Sequence, residues 1–330
     1  MMESMESPEP WERSGSWAFQ LALCLLGPLF FLSYAFTLLA PLPSLYLLVG
    51  KSDRRLGRMW WAIALFLGTA LAAVIHGLPG ALGFLLLVSL PSLVLGEVLL
   101  WKKSVEKAIS LAFLAVVAAG VLAFWIVASS HGKGLGPAVS ESIVYLEQTF
   151  KSTAEHLLEA GKNDWAETTV TSLKQIVETP RAALMELPGL LASGLLLLCV
   201  LPCLALIRWN PKGFLHRAGI GRDFLRKWKT PEWLVWPAIL CVTLMLFELE
   251  IFSTVARNCV KPLLVIYFFQ GMSILAYFLD SLRLRGPFRV PIYALGMVMY
   301  PMVVSFGFFD LWLNFRHRHK PIEAEEDKES

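Results

Sequence analysis

Long apolar stretches alternate with short polar connections along most of this chain. About twenty apolar residues in a helix cross the hydrocarbon core of a bilayer, where an unpaired backbone group has no water to bond. Six stretches clearly have this length: residues 59–76, 81–101, 108–130, 187–208, 232–251 and 262–281. The pattern predicts an all-α fold, a polytopic bundle of transmembrane helices.

Two further apolar stretches, 17–50 and 289–315, are longer than one simple span. Both contain prolines, which interrupt the hydrogen-bond ladder of a helix. These are Pro41 and Pro43 in the first stretch, and Pro291 and Pro301 in the second. If the prolines break these stretches, the chain has eight to ten membrane segments. For the last stretch we favour two short helices divided at Pro301. For the first stretch, the number of crossings stays open between one and two.

The basic connections predict the orientation of the chain, since lysine and arginine are retained on the cytoplasmic side of a membrane. Four connections carry them: Lys51–Arg58, Lys102–Lys107, Arg208–Lys229 and Arg283–Arg289. Two clear spans separate each basic connection from the next, so all four can be cytoplasmic. Residues 131–186 are then external. A broken last stretch also keeps Arg316 and the tail after it in the cytoplasm.

The same features divide the chain into five parts. They are an acidic flexible leader (1–16), a first membrane group (17–130), an external segment (131–186), a second membrane group (187–315) and a charged cytoplasmic tail (316–330). The external segment has the apolar stripe of amphipathic helices, for example at Ile143, Leu146 and Phe150. This segment could be a lid, a partner surface or a connector on the rim of the bundle.

Composition excludes several classes of protein. The chain is 56% apolar and 17% charged, with a mean hydropathy of +0.59, which no soluble enzyme shares. Its net charge of +3 lies in short runs and gives no reason to expect nucleic acid. We find no catalytic triad, no phosphate-binding glycine loop and no histidine-rich metal motif. We therefore expect neither enzymatic activity nor a cofactor or metal.

Polar side chains inside the spans are the best functional candidates, because ionisable and amide groups in lipid are costly and usually face the bundle interior. Gln270 is mid-span and shares a helix face with Tyr267 and Tyr277. It could bind a substrate or bridge two helices. Glu97, just before Trp101 and Lys102, could bind a substrate or pair with a lysine at the interface.

Asp310, Asn314 and Arg316 form the last group of candidates. The aspartate and the asparagine are one helical turn apart, and the arginine is near enough in sequence to neutralise the carboxylate. We expect one hydrogen-bonded unit at the cytoplasmic end of the final segment, either as a structural clasp or as part of a binding site.

Four short motifs resemble a bacterial family of multi-pass membrane proteins of unknown function, typified by YybS. They are Pro91 with Leu95-Gly96-Glu97, Pro231 to Trp236, Tyr267 to Gly271, and Gly307 to Asp310 followed by Asn314 to Arg316. The resemblance implies an integral protein of the bacterial inner membrane. It also implies a distant likeness to the substrate-binding subunits of energy-coupling-factor transporters and to the shape-determining protein MreD.

Two functions remain open at this point. The chain could be a solute-binding transport component with an outward-facing pocket lined by Gln270 and its neighbours. Such a component would need a separate ATPase module, since the chain has no nucleotide motif of its own. Alternatively, it could be a scaffold that organises other membrane proteins through exposed small residues such as Gly68, Gly83, Gly194 and Gly296. We lean towards transport.

The predicted orientation can be tested by cysteine labelling in intact cells. In a background without the five native cysteines, an impermeant thiol reagent should modify a cysteine placed at Gly161 and spare one placed at Asp53. The opposite pattern would refute the orientation.

Overall fold

A computed structural model describes most of the chain. The described residues are 17–50, 53–130, 135–160, 167–209, 220, 224, 228–247, 250–282, 284 and 286–318. They form helices and turns, with no strand among them, as the sequence predicts. The chain divides into two compact units: Met1–Ile126 with Gly194–Arg222, and Val127–Ser193 with Asp223–Ser330.

The first unit is built mainly from five helices of the described N-terminal half. They are α1 (Trp17–Leu32), α2 (Pro41–Val49), α3 (Arg54–Phe84), α4 (Leu90–Leu100) and most of α5 (Val105–Ser130). A π-helical turn, Leu85–Ser89, joins α3 to α4. The long helix α8 (Pro180–Trp209) adds its residues from Gly194 onward.

The continuous stretch Arg54–Leu100 folds back on itself at Gly77. This glycine has φ 66° and ψ −158°, a conformation that is essentially restricted to glycine. On either side of it, Trp61 Nε1 donates to Ser92 Oγ at 3.1 Å, and a Cβ on Gly68 would meet the Phe84 ring. Trp61 and Ser92 are 31 positions apart and would lie about 46 Å apart in a straight helix. The predicted runs 59–76 and 81–101 are therefore two antiparallel helices.

The N-terminal stretch is broken, but not at its prolines. Helix α1 ends at Leu32, and the turn after it contains Tyr34, which has φ 54°. Pro41 and Pro43 instead lie in the first turn of α2, where proline has no helical hydrogen bond to lose. Helices α1 and α2 then pack closely, because a Cβ on Gly27 would lie 3.3 Å from the Ala40 carbonyl oxygen.

The second unit contains the remaining described helices. They are α6 (Leu135–Ala160), α7 (Glu167–Glu178), α8 up to Ser193, α9 (Val235–Leu246), α10 (Glu250–Ser281), α11 (Gly286–Val298), α12 (Tyr300–Leu313) and α13 (Phe315–Arg318). Helices α6 and α7 pack against each other, as the amphipathic pattern of the segment 131–186 suggests. Helix α9 packs on α10 around Ala238, Cys241 and Tyr267.

The last apolar stretch is also broken. Helices α11 and α12 meet at an angle of 92°, and the break falls at Met299. Pro301 is then the second residue of α12, one of the two positions where a proline favours the start of a helix. Pro291 remains inside α11. The predicted division at Pro301 is thus present, with the break shifted to the residue before α12.

The expected eight to ten membrane segments are not supported. Four described stretches are long and apolar enough to cross a membrane: Arg54–Leu100, which folds back at Gly77 and is counted once, Val105–Ser129, Pro180–Arg208 and Phe252–Ser281. The bent pair α11–α12 makes five. The predicted span 232–251 is shorter than expected, since its helix ends at Leu246. Apolar run lengths overestimate the number of spans because apolar residues continue through the turns between short helices.

Candidate functional site: a buried polar cluster beside an apolar cavity

Two glycines bring α10 and α12 into backbone contact in the second unit. A Cβ on Gly271 would lie 2.0 Å from the Val303 carbonyl oxygen, and one on Gly307 would lie 2.0 Å from the Tyr267 carbonyl oxygen. Real side chains do not tolerate such distances. The two helices run antiparallel here, and the residues that flank the crossing are held deep in the unit.

Gln270 lies beside this crossing and is 1% exposed. Its Nε2 donates to Asp310 Oδ2 at 3.2 Å, and its Oε1 accepts from the Thr230 backbone N–H at 3.1 Å. A buried amide needs such partners at both ends. Gln270 therefore faces inward and bridges α10, α12 and the segment that precedes α9.

Asp310 is the centre of the cluster, and it is also 1% exposed. Besides the contact with Gln270, its Oδ1 accepts from the Phe315 N–H at 3.1 Å, and its Oδ2 lies 3.6 Å from Arg316 Nη2. Burial lowers the pKa of the Arg316 guanidinium, and the Asp310 carboxylate opposes this effect. The predicted pair of Asp310 and Arg316 is thus close enough for mutual neutralisation.

Asn314 has a different role from the predicted one, which was membership of a hydrogen-bonded unit with Asp310 and Arg316. It adopts the left-handed conformation, with φ 45°, and its backbone N–H closes the end of α12 on the Asp310 carbonyl oxygen at 2.9 Å. Its side-chain oxygen accepts from Lys229 Nζ at 3.0 Å. The turn that Asn314 makes carries Phe315 and Arg316 back towards the Asp310 carboxylate.

The two tyrosines predicted to share the Gln270 face have separate environments. Tyr277 OH donates to the Arg316 carbonyl oxygen at 3.1 Å, which ties α13 to α10. Tyr267 is 2% exposed and packs edge-on against Phe308, with ring centroids 5.2 Å apart. Tyr277 therefore belongs to the polar cluster, and Tyr267 to the apolar core.

Glu97 lies in the first unit and takes no part in this cluster. Its two carboxylate oxygens accept from Arg58 Nε and Nη2 at 2.7 and 2.8 Å. The expected lysine partner is thus an arginine, which the fold-back at Gly77 brings across from α3. A planar guanidinium matches both carboxylate oxygens, whereas an ammonium group acts as a point charge.

An apolar cavity of about 370 Å³ lies between α10, α11 and α12. Its wall includes Gly271 and Ile274 on α10, Ile292 and Gly296 on α11, and Met302 on α12. The 92° bend between α11 and α12 leaves this space, because α11 turns away from the face of α10 that α12 covers. Proteins hold small molecules in spaces of about 300–1,000 Å³.

The cavity and the polar cluster share a wall. Gly271 lines the cavity, while its neighbour Gln270 hydrogen-bonds Asp310. Phe315 likewise lines the cavity, and its N–H donates to Asp310. The cluster thus fixes the residues around the cavity. Gln270 itself does not line this cavity.

Two contacts of the cluster come from a segment that sequence reasoning overlooked. From the sequence, Lys229 is placed at the end of a basic connection and Thr230 is not singled out, yet they bond Asn314 and Gln270. The sequence contains little indication of the Thr230 contact, because it uses a backbone N–H that almost any residue could supply. A proline disfavours helical geometry in the residue before it, so Pro231 indicates that the chain is extended at this point.

Asn258 is a second residue that the sequence reasoning missed. Its side chain accepts from the Gly189 N–H and donates to the Met185 carbonyl oxygen, each at 2.7 Å. An α-helix would bond these two backbone groups to each other. Asn258 of α10 therefore inserts into α8, and Glu186 adds ion pairs with Arg257 and Lys261. Pro188, which disturbs the ladder of α8, is the sequence feature that indicates such an insertion.

The long apolar helices, the broken helix pair and the buried polar cluster define a multi-pass helical membrane protein. Among the described residues, no group of histidine, cysteine, aspartate and glutamate could hold a metal ion. Residues 18–311 match the model of a family described as predicted membrane proteins, DUF2232. The chain belongs to this family. Neither a curated protein nor a solved structure matches the chain.

A double-mutant cycle should show that Asp310 and Arg316 act as a pair. Arg316→Leu alone leaves a buried carboxylate without its cation and should lower the free energy of unfolding by about 3–5 kcal/mol. Adding Asp310→Leu should recover part of that loss, measured by thermal unfolding in detergent. Strictly additive losses would contradict the pairing, and losses below about 1 kcal/mol would place the pair in solvent.

Proposed function

We propose that the chain is a solute-binding component of a membrane transport system, and that the cavity between α10, α11 and α12 is its binding site. The observation that carries this proposal is an apolar space of about 370 Å³ framed by a broken helix pair. Transporters commonly build their substrate sites from discontinuous helices.

The size of the cavity supports occupation by a ligand. The space of about 370 Å³ lies within the range of about 300–1,000 Å³ in which proteins hold small molecules. Its walls are apolar side chains, which a bound molecule would cover.

We assign the energy source of transport to a partner outside this chain. The sequence has no phosphate-binding glycine loop, so we assign nucleotide hydrolysis to a separate ATPase module and no chemical step to this chain. We place the protein in the bacterial inner membrane, with its basic connections in the cytoplasm and residues 131–186 outside. The charge pattern of the four basic connections supports this orientation.

The second candidate function is a scaffold that binds other membrane proteins. The observation that favours it is Gly194 on α8, where an added Cβ would meet nothing within 4 Å. A glycine open on a helix surface allows a second helix to approach closely. The other glycines considered for this role are covered or face inward: Gly68 by Phe84, Gly83 by Phe31, and Gly296 at the cavity.

Two matched glycine variants discriminate between these functions. Gly296→Leu fills the cavity, whereas Gly194→Leu blocks the open face of α8 and leaves the cavity unchanged. For a solute-binding protein, native mass spectrometry of the purified protein should detect a small-molecule adduct in the wild type and in Gly194→Leu. The adduct should be at least five-fold less abundant in Gly296→Leu.

The opposite pattern would support the scaffold. In that case no adduct depends on Gly296, and a membrane protein that co-purifies with the wild type is lost from Gly194→Leu. Thermal unfolding of both variants in detergent is the control, since each comparison requires a folded protein.

A further inference from the structure

The chemical character of the cavity narrows the class of ligand it can hold. Its twelve lining residues are glycine, isoleucine, leucine, valine, methionine and phenylalanine. None of these side chains carries a strong hydrogen-bond donor or acceptor. The nearby polar groups are engaged elsewhere, since Gln270 and Asp310 bond to each other and to Thr230 and Phe315. A polar solute would thus lose its hydration here without replacement.

The mouth of the cavity is apolar as well. Four lining residues have exposed side chains: Leu295, Met299, Met302 and Phe306. They lie on α11 and α12 and on the turn between them, in the bent pair that is apolar enough to be placed in a membrane. A rim of this composition is compatible with hydrocarbon and costly in water. The occupant therefore enters from the bilayer, where apolar chains are the surrounding solvent.

A polar pair lies close in sequence to two of the lining residues. Phe278 and Ile292 line the cavity; Asp280 follows the first and Arg289 precedes the second, with Arg289 Nη1 2.5 Å from Asp280 Oδ1. Arg289 also donates from Nε to the Leu284 carbonyl oxygen at 2.9 Å. We take this pair as the candidate partner for the polar head of a molecule whose chain fills the cavity.

We propose that the ligand of this cavity is one long hydrocarbon chain of an amphipathic lipid, which enters laterally from the bilayer. This inference rests on the proposed solute-binding function of the same cavity. An engineered apolar cavity of about 150 Å³ stays dry and binds benzene, which has six carbons. A space of 370 Å³ has room for roughly 15 carbons by the same ratio, a length found in membrane acyl chains.

Photolabelling tests the ligand class directly. Full-length protein in phospholipid vesicles is exposed either to stearic acid with a diazirine in its chain, or to phosphatidylcholine whose acyl chain carries the same group. Peptides that contain Met299, Met302 and Phe306 should be labelled in the wild type and in Gly194→Leu. Labelling of these peptides should fall at least five-fold in Gly296→Leu. Ile292→Phe fills the cavity from a second position if Gly296→Leu does not fold.

The two probes distinguish the sources of the chain. Labelling by stearic acid alone identifies a free fatty acid, and labelling by both probes identifies a chain that can remain part of a phospholipid; both results support the inference. Equal labelling in the wild type and the filled variants would mean surrounding lipid only and would overturn it. If a polar adduct depends on Gly296 while neither probe labels the lining, the inference fails and the solute-binding function stands. If neither an adduct nor the labelling depends on Gly296, the inference and the proposed solute-binding function both fail.

Discussion

The close approach of α10 and α12 is the constraint on which the second unit depends. Gly271 and Gly307 lie where each helix meets the backbone of the other, so no side chain larger than hydrogen fits at either position. Apolar side chains gain little by leaving lipid for a helix interface, since lipid tails are as apolar as leucine. Association within a membrane therefore relies on close packing and on interhelical hydrogen bonds. The glycines supply the first of these, and Gln270 and Asp310 supply the second.

The polar cluster and the cavity are two consequences of this crossing. On one side, Gln270 and Asp310 are near enough to bond only because their glycine neighbours let the helices touch. On the other side, the break at Met299 directs α11 away from α12 at 92° and leaves the apolar space against α10. The cluster fixes the position of α12, and α12 in turn forms one wall of the cavity. The polar cluster and the cavity thus depend on the packing of the same three helices.

Much of this arrangement could be predicted from single residues and run lengths. The all-helical fold and the inward orientation of Gln270 follow from the cost of unpaired polar groups in lipid. The broken last stretch follows from its prolines and from the basic residues after it. The reversal between the runs 59–76 and 81–101 could also be predicted from their lengths. The part of Gly77 in it could not be predicted, because one glycine and one proline in an apolar run are compatible with a kink or a full reversal. The break near Tyr34 has no proline or glycine to mark it. The partners of Gln270 and Asn258 are backbone groups in part, and these leave no trace in residue type.

The distance between α10 and α12 can be tested most directly with two alanine substitutions in the same unit. Thermal unfolding in detergent should show that Gly271→Ala lowers the free energy of unfolding by about 3 kcal/mol or more, because the clash is with a backbone oxygen that cannot move aside. Gly296→Ala is the matched control. Its Cβ would meet neighbours at ordinary distances of 3.4–3.6 Å, so it should be neutral or stabilise the protein by up to about 1 kcal/mol. Equal stability of Gly271→Ala and the wild type would contradict the crossing and the account built on it.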